Sequence, residues 1–141
     1  MNRDARKTTL ICLLLVLLLL SSCASSSLLG RAKQSAAASY SVYEPINSQV
    51  VSEIQKIVEK NRAGTITESD RTRLKSLDQV RKILDDYAKT HNLFVQTTKT
   101  WEVTNREPSN AALLENQLLV LINRALDEAK ELELQVPAGL R

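Results

Sequence analysis

The chain has 141 residues with a formal charge of +3, 4% aromatic residues, three glycines and three prolines. So few turn formers and β-formers exclude a sandwich or a barrel, and abundant Leu, Ala, Glu, Lys, Arg and Gln favour helices. Arg3, Arg6 and Lys7 against Asp4 carry two of the three net charges within the first 22 residues. The remainder is close to neutral, which excludes a global electrostatic case for binding nucleic acid.

Those basic residues precede Leu10–Leu20, a nearly unbroken apolar run of eleven residues. A permanent span of a ~30 Å hydrocarbon core needs roughly 20 residues, so the run has the length of the apolar region of a cleaved secretory signal. It ends in Leu20-Ser21-Ser22-Cys23. Small residues at positions 21 and 22 let the backbone enter a protease site, and the Cys23 thiol can accept an acyl group. The segment resembles the lipobox of bacterial lipoprotein signal peptides (type II), a resemblance confined to the first two dozen residues. It implies that Cys23 takes an S-diacylglycerol, that residues 1–22 are cleaved, and that Cys23 is then N-acylated, with fatty acids such as palmitate. Several acyl chains anchor a protein stably to membrane lipid, where a single chain does not. Gram-negative lipoproteins with Asp after the Cys stay in the inner membrane; Ala24 stands there in this chain, which implies the outer membrane, facing the periplasm. Cys12, preceded by Thr9, Leu10 and Ile11, reads as part of the apolar run. The alternatives are a general secretory signal or a short membrane anchor.

Cleavage before Cys23 removes 22 of the 141 residues and leaves 119, the length of one domain. With Cys23 acylated no thiol remains for a disulfide or a cysteine metal site. The reading divides the chain into a signal peptide (1–22), an acylated Cys with an Ala/Ser-rich flexible tether (23–45) and a helical domain (46–141). In the tether, Leu28-Leu29 can touch the lipid surface, and Tyr40, Val42, Tyr43 and Pro45 form an irregular lead-in.

Ile46, Val50, Ile54 and Ile57 or Val58 recur at spacings of three and four, which predicts a helix over about 47–61. Asn47 or Ser48 would cap its start, and Asn61 to Gly64 supply the stop. Thr67-Glu68-Ser69-Asp70 places a hydroxyl at an N-cap and acids in the first turn of a second helix. Its heptad-like seam of Leu77, Val80, Leu84, Tyr87, His91, Phe94, Thr98 and Trp101 predicts one long helix over about 68–104, of coiled-coil character. The Thr-rich stretch from Thr90 to Thr100 is its weak point, with a break near Asn92 as the alternative. Asn105 to Asn110, around Pro108, is a turn in which Ser109 or Asn110 would cap the third helix, about 110–134. The stripe of that helix is Leu114, Leu118, Leu121, Ala125 and Leu132, widened by Leu119, Ile122, Leu126 and Ala129. So wide a face suits contact with two helices. Folding back about residue 107 brings Glu131 and Glu133 beside Arg81 and Lys82, and Lys130 near Asp85 and Asp86. The expected fold is all-α: a small antiparallel three-helix bundle, or a long helical hairpin that completes its core by oligomerising, behind a flexible N-terminal tether.

His91 is the sole histidine, which excludes a multi-histidine metal site and reads as a packed or partly exposed core residue. Asp85-Asp86 and the acids from Asp127 to Glu133 read as solvated helix faces. No Gly-rich phosphate loop, Cys-x-x-Cys or Gly-x-Ser-x-Gly occurs. The reading is therefore no enzyme, no catalytic or cofactor-binding residue, no metal and no cofactor. Trp101, near the Pro108 turn, reads as a cap on the core; the sharper reading makes it, with Phe94 one heptad back, an anchor for a partner.

These features point to a lipid-anchored cell-envelope protein acting as a non-catalytic helical interaction module, with an envelope protein or a second copy as partner. One alternative is a non-covalent structural tether. The chain resembles the murein lipoprotein in being acylated and heptad-bearing, but that family links to the wall through a C-terminal lysine, and Arg141 stands here. The other is a phage- or prophage-derived lipoprotein for superinfection exclusion or lysis, although lysis lipoproteins tend to be Pro-rich.

Overall fold

The computed structural model describes residues 27–135. Three helices, α1 (Leu28–Arg62), α2 (Glu68–Thr104) and α3 (Ala111–Glu131), run up, down and up, and each packs against both others. Among the described residues there is no strand. The fold is the antiparallel three-helix bundle, closed within one chain.

The largest departure from expectation is α1, which begins at Leu28, nineteen residues before the expected start at 47. The Ala/Ser-rich stretch from Leu28 to Pro45 is helix, so the expected tether and irregular lead-in are corrected over those residues. The reason lies in its spacing: Ala32, Ala36, Ser39, Val42, Ile46 and Val50 are all buried and recur every three or four residues, a stripe built from small side chains. Pro45 sits inside the helix. Its ring removes one backbone hydrogen bond, at a cost of about 3 kcal/mol, which burial of the flanking Val42 and Ile46 offsets. Asn47 and Ser48 therefore cap nothing; the N-cap is Ser27, whose hydroxyl accepts from the Gly30 N–H at 3.1 Å. At the other end Gly64 takes φ +70°, and its N–H and that of Thr65 donate to the carbonyls of Asn61 and Lys60. That closure needs a left-handed residue, which is why glycine stands there.

The second helix has the expected bounds and runs unbroken past Asn92. The threonines expected to weaken it bond back onto their own helix: Thr90, Thr100 and Thr104 donate to the carbonyls of Asp86, Gln96 and Thr100. Their hydroxyls are thus satisfied without leaving helical geometry. Leu77, Val80, Leu84, Tyr87, Phe94 and Thr98 of the seam are buried, while His91 and Trp101 are half-buried at its edge.

The third helix is shorter than expected. Asn110 occupies its N-cap without a side-chain bond, and Glu133 takes φ 57° and ends it. There the Glu133 and Leu134 N–H groups donate to Lys130 and Ala129, the closure a glycine would normally make, and Leu134 is buried against the core. The buried stripe is Leu114, Leu118, Ile122, Ala125 and Ala129, with Leu126. Leu121 is only half-buried and Leu119 is exposed, so the face is turned one residue from the expected line. The expected cross-helix ion pairs do not form. Arg81 and Lys82 bind Asp78 at 3.2 and 3.1 Å, and Lys130 lies 3.7 Å from Asp127. Neighbours at i,i+3 and i,i+4 on the same helix are closer partners than side chains on the next one. Apolar packing, not surface charge, therefore sets the register of α2 and α3.

At ~1.5 Å per residue, α3 is about 32 Å long against about 52 Å for α1. It reaches only as far as Gln49, whose Oε1 accepts from the Gln135 N–H at 2.8 Å and whose amide donates back to the Gln135 carbonyl. Beyond that level the bundle narrows to α1 and α2. Its far end is held by Asp70: Lys60 donates to Oδ1 at 2.7 Å, and the Thr67 N–H and hydroxyl donate to Oδ2 at 3.0 and 2.8 Å. The Lys60 bond first, then those from Thr67, lower the Asp70 pKa from 3.8 to about 2.

Folding thus favours the Asp70 carboxylate. The stability it supplies is complete above its ordinary pKa and is lost as pH falls through about 2. Asp70→Asn should lower the melting temperature at pH 6 and shrink the loss of stability between pH 4 and pH 2, both read by circular dichroism. The core makes a second, graded expectation. Leu84→Asp places a carboxylate where no solvent reaches, at a cost on the order of several kcal/mol out of about 5–15 for a whole domain, and should unfold much of the bundle. Leu121→Asp, on a half-buried edge, should lower the melting temperature less, and Lys75→Asp on the exposed face of α2 hardly at all.

Candidate functional site

Two surfaces stand out, one between α1 and α2 and one on the outer side of α3. The first grows from a pair of aromatic steps: Tyr40 and Tyr43 lie three apart on α1, and Tyr87 and His91 four apart on α2. Helical geometry puts each pair on one face. The antiparallel packing of α1 on α2 joins them into a closed circuit, with ring centroids 5.5 Å apart for Tyr40–Tyr43, 5.0 Å for Tyr43–Tyr87, 5.7 Å for Tyr87–His91 and 5.1 Å for Tyr40–His91. Ser39 closes it from below: its hydroxyl donates to the Ala36 carbonyl at 2.9 Å and lies 2.8 Å from the Tyr87 oxygen. Since the Ser39 proton is committed to Ala36, the Tyr87 O–H is the donor between them. Burial raises the pKa of Tyr87 above 10.0, against the lowering effect of the Ser39 bond. Burial likewise raises that of Tyr43, helped by Tyr40 and Asp85. Burial lowers that of His91, with the Ala36 backbone pulling the other way.

Beside this circuit runs an open groove of about 400 Å³, floored by Ala36, Ala37 and Val95 and walled by Tyr40 and His91. Lys33 and Glu102 meet at 2.9 Å across its rim. The imidazole is half-buried among rings and favours its neutral form, a packing arrangement for which the heptad position of His91 was the signal. The circuit with Tyr40 and Tyr43 escaped sequence reasoning because those tyrosines lay in a segment assigned to the tether. Their i,i+3 spacing was the clue available.

The second surface is unusual in what it lacks. Between the half-buried Glu115 and the exposed Arg124, the exposed positions of α3 are uncharged, Asn116, Gln117, Leu119, Val120 and Asn123, and Ala112 and Leu113 precede them. Leu113 and Val120 are 58% and 57% exposed, and Leu119 is 38% exposed. Charge depletion around exposed aliphatic side chains is the composition of an interface centre rather than of ordinary solvated surface.

Of the residues singled out in sequence, Trp101 is half-buried and packs against the core near the end of α2. Phe94 is fully buried, so the reading of Phe94 as a surface anchor is corrected: it is a core side chain, with no face left for a partner. Cys23 and Cys12 lie outside the described residues. Among the described residues no three His, Cys, Asp or Glu side chains come together as a metal site, and no helix is long and apolar enough to cross a membrane. No family model matches the chain, and neither a curated protein nor a solved structure does.

The aromatic circuit makes a direct expectation, since His91 supplies the only imidazole. Its titration by NMR should have a midpoint below 6.5. Because folding favours the neutral ring, its contribution is complete above the ordinary pKa and stability should decline as pH falls below 6.5 toward the lowered value. His91→Phe should remove that decline while leaving the loss below pH 4, which belongs to Asp70 and to Glu53, whose pKa the Lys56 hydrogen bond lowers.

Proposed function

We propose that this protein is a lipid-anchored component of the bacterial cell envelope, held through acylated Cys23, which acts without catalysis as a helical interaction module. The observation that carries the reading is the order of basic residues, eleven-residue apolar run and Leu20-Ser21-Ser22-Cys23 at the head of the chain. Each part answers a separate physical need: the charges hold the start on the cytoplasmic side, the run enters the membrane, and the small residues and thiol allow acylation and cleavage. Ala24 after the Cys favours the outer membrane, with the bundle in the periplasm. The outer face of α3 supports the second half of the reading, because an envelope protein or a second copy of this chain could bury Leu119 and Val120 there, with Glu115 and Arg124 one turn away as a polar rim.

Labelled palmitate should enter the wild-type protein and be absent from Cys23→Ser, which should accumulate as full-length precursor. Incorporation into that variant would refute the anchor. A photoreactive side chain at position 120 of the acylated protein should crosslink in intact cells to an envelope protein or to itself. The same probe at position 82, where Lys82 pairs with Asp78 on the charged face of α2, should not.

A further inference from the structure

We infer that one end of the bundle docks directly on a lipid bilayer, with Leu28 and Val103 among the headgroups. The inference rests on the acylation of Cys23 proposed above. Lys33 meets Glu102 at 2.9 Å, which sets the level of α1 against α2. Leu28, five residues earlier, stands ~7.5 Å further along and level with the turn between α2 and α3. The start of α1, the end of α2 and the start of α3 thus form one end of the molecule. That end exposes aliphatic surface: Val103 is 86% exposed, Leu28 61% and Leu113 58%. It also carries four basic residues, Arg31, Lys33, Lys99 and Arg106, against Glu102, Glu107 and Glu115, a small positive balance toward anionic headgroups.

The length of chain before α1 selects the occupant. Four residues lie between Cys23 and Leu28, and the five steps from one to the other, at ~3.6 Å each, reach at most ~18 Å in any conformation. The acyl chains of Cys23 lie in the bilayer, so this end of the bundle stays within that distance of it. The competing apolar groove, about 500 Å³ around Ile57, Val58, Ile66 and Leu74, lies at the opposite end, ~44 Å along α1 from Leu28 and beyond the reach of the spacer. Were the chain from 23 to 45 a flexible tether, no end would be favoured. A helix starting at Leu28 makes the choice.

The sole tryptophan, Trp101, is the reporter, one helical turn from the end of α2. Intact acylated protein would be reconstituted into phosphatidylethanolamine–phosphatidylglycerol vesicles containing lipid nitroxide-labelled at the headgroup or shallow in the chain. Strong quenching of Trp101 is expected, falling several-fold in Val103→Asp, a substitution at so exposed a position that helix content should not change. Quenching that is absent in vesicle-bound, acylated protein, or that Val103→Asp leaves unaltered, would overturn the docking and leave the anchor standing. Mass spectrometry of the same sample separates the two ideas: a Cys23 peptide without acyl mass would overturn the anchor itself. Concentration-dependent self-crosslinking through position 103 in place of quenching would assign this end to a second copy and also overturn the inference.

Discussion

The bundle depends on a single stripe of α2 that serves two neighbours at once. Leu77, Val80, Leu84, Tyr87 and Phe94 are sealed from solvent although they lie on one helix, because α1 closes over one side of the seam and α3 over the other. A two-helix hairpin would leave half of that surface wet. The cost of exposing it, roughly 25 cal/mol for each Å² of apolar area, is what recruits the other two helices. Their sequences answer in different ways. The first half of α1 buries small side chains, Ala32, Ala36 and Ser39, whereas α3 buries Leu114, Leu118 and Ile122.

From that arrangement follow the leftovers that give the molecule its surfaces. A third helix of 21 residues cannot cover a hairpin of 35 and 37, so the apolar stripe emerges as an open groove near Ile57 and Leu74. At that end α1 meets α2 without a third helix, and Ile57, Ile66 and Leu74 pack there alongside a polar clamp, the Lys60–Asp70–Thr67 cluster. Hydrogen bonds and charge there add to a thinner apolar layer. The carboxylates whose pKa is lowered, Asp70 and Glu53, lie toward that end.

How far the fold could be read from the residues varied with the kind of signal. The bounds of α2 were readable because Thr67 and Asp70 form a reciprocal cap and Pro108 enforces the turn after it, both local and near-obligatory effects. The first half of α1 was not, because Ala and Ser carry little hydrophobicity and Pro45 reads as a stop. Only tertiary burial discloses that small residues at helical spacing are core rather than spacer. The ion pairs failed as register markers because long charged side chains reach partners on their own helix first. Of the candidate contact residues, Trp101 was placed correctly at the edge of the core, while Phe94 shares its heptad position yet lies deep within it. Heptad position identifies a face but not a depth. The exposed apolar face of α3 was hidden in plain composition: Leu119 and Leu121 read as part of one wide apolar stripe until packing on Ile122 left Leu119 exposed beside Val120 and Leu121 half-buried.

The early start of α1 also changes what an anchor at Cys23 would mean. A lipid chain followed by a long coil is a leash: it limits distance but leaves orientation free, and the effective concentration of any partner surface is diluted over the volume the coil can sweep. Replacing all but five residues of that coil by a rigid helix turns the leash into a mount. With that end docked on the bilayer, position along the bundle would become height above it, and Val120, seven residues or ~10 Å beyond Leu113, would stand further from the membrane than Leu113. A partner in the same membrane, mounted at a comparable height, would meet that face by lateral diffusion in two dimensions. Such a geometry raises encounter frequency without any added affinity, so a modest patch of three aliphatic side chains can suffice where a freely diffusing protein would need a larger one.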